Sequence, residues 1–149
     1  MIANADNMAD VAALFREYAA YLGVAEVLPG FEDELATLPG DYVAPDGALL
    51  VAREGAATLG CIALKPLAPC VGEIKRLYLR PEARGRGIGK ALVAAVLERA
   101  RQAGYREVKL DTMAHLTEAQ ALYRGFGFEP VAPFRASSYP HIRYYSRAL

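Results

Sequence analysis

Three glycines alternate through RPEARGRGIGKAL, residues 80–92: Gly85, Gly87 and Gly89 stand among Arg84, Arg86 and Lys90. A strand-like run, GEIKRLYL, ends at Leu79 just before them, and an apolar helical run, ALVAAVL, follows. The first turn of a helix leaves several backbone N–H groups without an intrahelical partner. Those donors and the positive end of the helix dipole attract an anion, and missing side chains let a phosphate reach the backbone. The three bases add formal charge. The spacing predicts a pyrophosphate cradle built from Arg84, Gly85, Arg86, Gly87, Ile88, Gly89 and Lys90.

Two other phosphate loops do not fit. A nucleotide-hydrolase P-loop needs glycine five residues before its Gly-Lys pair and a hydroxyl after it, but Arg84 and Ala91 occupy those places. A dinucleotide fingerprint needs a third glycine where Lys90 stands.

The pattern present is R-x-x-G-x-G, from Arg84 to Gly89, and here the chain resembles the GNAT superfamily of acyl-CoA-dependent N-acetyltransferases. The resemblance runs from about Gly72 to Phe128. It includes LDT at 110–112 and then A-x-x-LY-x-x-x-GF at Ala119, Leu122, Tyr123, Gly127 and Phe128. It implies an α/β (α+β) fold: a mixed, mostly antiparallel central sheet flanked by helices, with a splayed strand pair holding acyl-CoA. The co-substrate it implies is acetyl-CoA. The pantetheine arm would lie along the backbone of Leu77, Tyr78 and Leu79, bonding to it as another strand would, with Ala119 and Tyr123 also at the cofactor. An N–H of that strand would face the thioester oxygen as charge develops there.

The sequence departs from the family at two places. The family opens with a strand before its first helix, whereas MIANADN leaves almost no room for one, and Leu116 stands where many members place an asparagine against the pantetheine arm.

Transfer to an amine requires it to be neutral, and an ammonium of the lysine kind has a pKa near ~10. Glu73, eleven residues before Arg84, matches the place where histone-acetylating members carry a glutamate base. A polar position on a half-buried strand, with water taking the proton, is the competing reading. Tyr123 resembles the family's general acid. A phenol near ~10 is a weaker acid than a thiol near ~8.5, so full proton transfer to the thiolate runs uphill by roughly 2 kcal/mol. Tyr123 is therefore expected to donate a hydrogen bond to the departing sulfur. A module that binds acyl-CoA without transferring it would share the cradle, and Tyr123 and Glu73 favour the enzyme.

The elements that must position these residues can be read from the same chain. Residues 7–22 have Val11, Leu14, Phe15, Tyr18 and Leu22 on one helical face, with Asp6 or Asn7 as cap and Gly23 as stop. A short turn, FEDELATL, precedes Pro39. Strands are expected at 48–54 and 57–65 as a hairpin about Glu54-Gly55, then at 72–79, 107–112, 129–132 and 142–147. Helices are expected at 87–103 and from Thr117, where Thr117 and Gln120 form a capping box. The length of 149 residues suits one domain, 1–149, with a single core.

Composition narrows the partners. Formal net charge is zero, yet residues 1–54 hold ten acids against two bases, while 75–90 hold six bases against Glu82. The acidic third and the aromatics Tyr18, Tyr21, Phe31, Phe134 and Tyr139 point to a small-molecule amine or peptide as acceptor, with Glu32, Asp33 and Glu34 free to attract its cation. A second copy of the chain, as a homodimer, stays open. Nucleic acid is disfavoured because the one basic cluster already serves the phosphate loop. No run is long enough for a membrane span, so a cytoplasmic location is expected. Cys61 and Cys70 read as small buried hydrophobes, and His115 and His141 are solitary, so no metal is implied.

Overall fold

The computed structural model describes residues 1–23, 30–137 and 140–149. In chain order the elements are β1 (Ile2–Asn4), α1 (Met8–Leu22), α2 (Phe31–Ala36), β2 (Ala48–Glu54), β3 (Ala57–Ala68) and β4 (Val71–Leu79). A 3-10 turn (Pro81–Ala83), α3 (Ile88–Gln102), β5 (Glu107–Met113), α4 (Thr117–Gly125), β6 (Glu129–Pro130) and β7 (Ile142–Ala148) follow.

Seven strands form one sheet in the order β1-β2-β3-β4-β5-β7-β6, antiparallel throughout except where β4 meets β5. Both faces of its centre are covered. Leu50, Ile62, Leu64 and Ile74 pack with Leu92, Val93, Val96 and Leu97 of α3 and Tyr123 of α4. Leu49, Val51, Cys61 and Ala63 point the other way, to Val11, Leu14 and Phe15 of α1 and Leu35 of α2. Successive strand residues face opposite layers, so a strand covered on both faces reads as the nearly unbroken apolar run ALLVA rather than as an alternation.

Asn7 caps α1, its side chain accepting from the N–H groups of Ala9 and Asp10, and Gly23 ends it in the left-handed conformation. Where the sequence left almost no room for an opening strand, three residues suffice: Ile2, Ala3 and Asn4 pair with Ala52, Val51 and Leu50. The expected capping box does not form. Leu116 is the residue before α4 and supplies no side-chain cap. Gln120 instead turns inward, its Nε2 donating to the carbonyls of Met113 (3.2 Å) and Ala114 (3.0 Å), while its Oε1 accepts from the Tyr145 hydroxyl at 2.9 Å. A buried amide with three backbone acceptors and one hydroxyl donor nearby is satisfied without the helix end. The cysteines also divide. Cys61 is buried, and Cys70 is exposed at a positive φ of 64°.

One irregularity shapes the site. The β3–β4 ladder pairs Cys61 with Tyr78 but Ala63 with Lys75, so Arg76 and Leu77 together oppose Ile62 as a β-bulge. Arg76 sits at φ 62°, which L-residues rarely adopt. Its guanidinium secures the bend by a two-pronged bond to Glu34, at 2.9 and 3.0 Å, and its carbonyl accepts from the Cys61 thiol at 3.3 Å. The extra residue resets the alternation, so that Leu77 and Leu79 pack on the α3 side like Ile74 before them.

Candidate active site

β4 and β5 stay paired for three residues only, Val71–Glu107, Gly72–Val108 and Glu73–Lys109. Beyond that point they part, as expected of the splayed pair. The opening leads to a cleft of about 870 Å³ lined by Leu77, Tyr78 and Leu79 of β4, Arg84, Gly85 and residues 87–90, Ala119 and Leu122 of α4, and Tyr18 and Tyr21 of α1. Every residue that the sequence assigns to acyl-CoA lies on this wall except Arg86 and Tyr123.

The glycine loop divides its labour. Gly85 and Gly87 have φ of 74° and 78°, and nothing lies within 4 Å of where their Cβ atoms would be, so they supply a bend. Gly87 is the residue before α3, with no side-chain cap and no acid in the first turn of the helix. The N–H groups of that turn are thus left to an outside acceptor. Gly89 serves packing, since a Cβ there would touch Leu122 and Leu79 at 3.4 Å. Arg84 donates from Nε to the Leu79 carbonyl at 3.1 Å, and its guanidinium lies 4.7 Å from the Tyr21 ring centre, at the cleft wall. Lys90 is exposed at the same wall, whereas Arg86 turns back to ion-pair with Glu54 on the β2–β3 turn. This donor set fits an acyl-CoA pyrophosphate: an uncapped helix start, a backbone bend open to approach, and the cations Arg84 and Lys90 beside it.

Tyr123 is 6% exposed, packed edge-on against Phe128 at 5.7 Å between ring centres. Burial, reinforced by the nearby Tyr18 and Asp111, pushes its phenol far above the ordinary tyrosine range. Tyr18, on the opposite face of the sheet, is pushed up to about 12, by burial first; Arg76 opposes this and Asp111 adds to it.

Glu73 is 1% exposed and does not line the cleft. Burial alone would raise its pKa, but the Arg135 guanidinium close against it and the charge of Lys75 outweigh it and hold the carboxyl below the usual carboxylate range. Nη1 of Arg135 lies 2.6 Å from Glu73 Oε2 and 2.8 Å from Asp111 Oδ2, and Lys75 Nζ is 3.7 Å from Glu73. Sequence reading singled out neither Arg135 nor Asp111 as partners of Glu73. The only signal was a base in an aromatic tail, and tail-to-sheet pairing has no local signature.

Six acids of the first third already have cationic partners. Asp6 pairs with Arg53, Glu17 with Arg80, Glu34 with Arg76, Asp41 with Lys65, Glu54 with Arg86 and, more loosely, Glu32 with Arg16. The division of charge along the sequence is largely neutralised across the fold. Of the aromatics expected around the acceptor, Tyr18 and Tyr21 line the cleft, Phe31 packs beneath α1, Phe134 meets Tyr144 edge-to-face at 5.1 Å between ring centres, and Tyr139 lies outside the described residues. Among the described residues no group of three or more His, Cys, Asp or Glu could hold a metal ion, and no helix is long and apolar enough to cross a membrane.

Comparison with known proteins agrees with this geometry. The family model described as "Acetyltransferase (GNAT) family" matches residues 11–128. An uncharacterized N-acetyltransferase of Schizosaccharomyces pombe is 36% identical over 140 residues, covering 93% of this chain and 86% of that protein. The IAA acetyltransferase of Azospirillum brasilense is 34% identical over 125 residues, covering 83% and 80%. The PaiA N-acetyltransferase of Thermoplasma acidophilum, solved in complex with coenzyme A, has the same fold, with a TM-score of 0.77 over 100% of this chain and 98% of that one at 18% identity.

Proposed function

Since this chain belongs to the GNAT family of acetyltransferases, we propose that it moves an acetyl group from acetyl-CoA to a primary amine of a small molecule or peptide, by direct attack in a ternary complex. The observation that carries this reading is the cleft itself, with an uncapped helix start at one end and an opened strand pair along its wall. Acetyl-CoA supplies an activated thioester. In the transfer a C–N bond forms as the C–S bond breaks, the sulfur leaves as thiolate, and the amine loses one proton.

The first turn of α3, with Gly85, Gly87, Arg84 and Lys90, holds the pyrophosphate. The β4 backbone from Leu77 to Leu79 holds the pantetheine arm and offers an N–H to the thioester oxygen, with Ile88 and Ala119 walling the arm. Arg86 acts at longer range, fixing the loop to Glu54 rather than touching phosphate. Tyr123 donates a hydrogen bond toward the sulfur. Its raised pKa opposes full proton transfer, because a phenol harder to ionise is a still weaker acid than the thiol.

Proton removal from the amine runs through water. Glu73, the candidate base, is kept anionic by two cations, and a carboxylate stabilised in its charged form is a poor acceptor. Its part is to hold Arg135 and Lys75 at the opening, as the fixed negative end of a water path. A thioester-consumption assay over a panel of amines, amino acids and peptides tests the reading. Calorimetric uptake of acetyl-CoA with amine-dependent release of free thiol supports it, and uptake with no turnover on any amine favours a binding module instead.

A further inference from the structure

Arg135 is placed as a receptor rather than as a simple counter-ion. Both of its carboxylate partners take the same nitrogen, Nη1, one from β4 and one from β5, just where those strands part. Its own carbonyl accepts from the Tyr144 hydroxyl at 3.3 Å, and its guanidinium lies 5.1 Å from the Phe134 ring centre. The side chain is thus fixed by its main chain, a ring and two anions. The Nε–Nη2 edge has no hydrogen-bond partner among the described residues, and 33% of the side chain is exposed.

A held guanidinium with one edge unpartnered among the described residues has the geometry that takes a carboxylate by two parallel N–H bonds. The surroundings agree in sign. Lys75 Nζ lies 3.7 Å from Glu73, and Lys109 Nζ lies 5.4 Å from the centre of the Phe134 ring that the guanidinium also covers. The place adjoins the opening, since Glu73 is the last β4 residue paired with β5 and Asp111 lies two residues past its partner Lys109.

We propose that the acceptor is an amine that also carries a carboxylate, and that the Nε–Nη2 edge of Arg135 binds that carboxylate while the amine enters the β4–β5 opening. This rests on the acetyltransferase reading above. It replaces the expectation of a purely cationic acceptor drawn to the acidic third.

The test compares acceptors matched in length, with acetyl-CoA as donor: 4-aminobutanoate against butylamine, 5-aminopentanoate against pentylamine, and triglycine against its C-terminal amide. For wild-type protein kcat/KM should favour the carboxylated member of at least one pair by roughly 10- to 100-fold, the range of a charged hydrogen-bonded contact. Preference within the amino acids or within the peptide pair tells which source of carboxylate the site takes. Arg135→Lys keeps a cation beside Glu73 but removes the fork, and should reduce the preference by a similar factor, through KM for the acceptor more than through kcat. Arg135→Gln should do the same wherever circular dichroism shows it folded. A wild-type protein that binds acetyl-CoA but shows no preference for the carboxylated member, or no turnover on it, overturns this inference alone. A preference that survives in Arg135→Lys overturns the role of Arg135. Failure to take up acetyl-CoA at all overturns the reading on which it rests.

Discussion

Nη1 of Arg135 lies 2.6 Å from Oε2 of Glu73, so a loop ahead of β7 neutralises a carboxylate that β4 buries almost completely. The consequence for stability has a definite sign. The folded state holds Glu73 below its ordinary pKa, so its pairing stabilises the protein fully above the unfolded carboxyl pKa, near ~4.3, and that contribution fades as pH falls through the lower folded value. Glu73→Gln should therefore melt below wild type at pH 7, and the gap should narrow at pH 3. Thermal melts at the two pH values check it. A gap that stays constant would mean that the pair contributes through packing rather than charge.

The glycine loop separates two requirements that a motif merges. Gly87→Ala puts a side chain on a left-handed residue, at a cost of about 1 kcal/mol, which for a chain of this size lowers Tm by roughly 2–4 °C. It should also weaken acetyl-CoA, because the bend presents the first-turn N–H groups. Gly89→Ala adds a Cβ at ordinary contact distance from Leu122 and Leu79 and should preserve both Tm and binding, whereas Gly89→Leu should lose both. Melting curves with acetyl-CoA calorimetry on the three variants decide it.

Glu34 offers a contrast with its neighbours. Glu32 and Asp33 are exposed and should be replaceable by Gln and Asn with no change in KM for either substrate. Glu34 anchors the Arg76 guanidinium and accepts from the Tyr42 hydroxyl at 2.9 Å. Glu34→Gln leaves a 7%-exposed arginine without its anion, and loss of one partner of a buried pair costs about 3 kcal/mol. Urea unfolding should show that loss. Because the pair secures the bulge beside Leu77, kcat should fall as well.

The order of strands and helices was legible because each element carries its own local chemistry: apolar runs for strands covered on both faces, a left-handed glycine to end α1, and a bend before α3. The left-handed bend at Gly85 and Gly87 was legible for the same reason. Partnerships between distant residues were not. Thr117 and Gln120 have the spacing of a capping box, yet three carbonyls and the Tyr145 hydroxyl satisfy Gln120 better inside. The acids of the first third look unpaired along the chain, and their arginines arrive from β2, β4, the residue after β4 and the glycine loop. Nothing near Glu73 in the sequence announces Arg135, which the fold brings to 2.6 Å from its carboxylate.

Tyr123 gives the sharpest test of chemistry, because its environment separates donating a hydrogen bond from giving up a proton. Its phenol is buried against Phe128 and harder to ionise than a free tyrosine, so it stays protonated across the working pH range. A neutral phenol can stabilise a departing thiolate only while the O–H is present. Tyr123→Phe keeps the ring and its packing and removes that donor, so kcat should fall by about 100-fold or more, with a much smaller change in acetyl-CoA affinity. The pH profile of the wild type should carry no alkaline limb from this residue up to about pH 10, since a group with a raised pKa has not begun to titrate there. Rates for the variant, measured with acetyl-CoA binding on the same samples, check both points. Full turnover in Tyr123→Phe would leave the sulfur to be protonated by water and would reduce Tyr123 to a packing residue of α4.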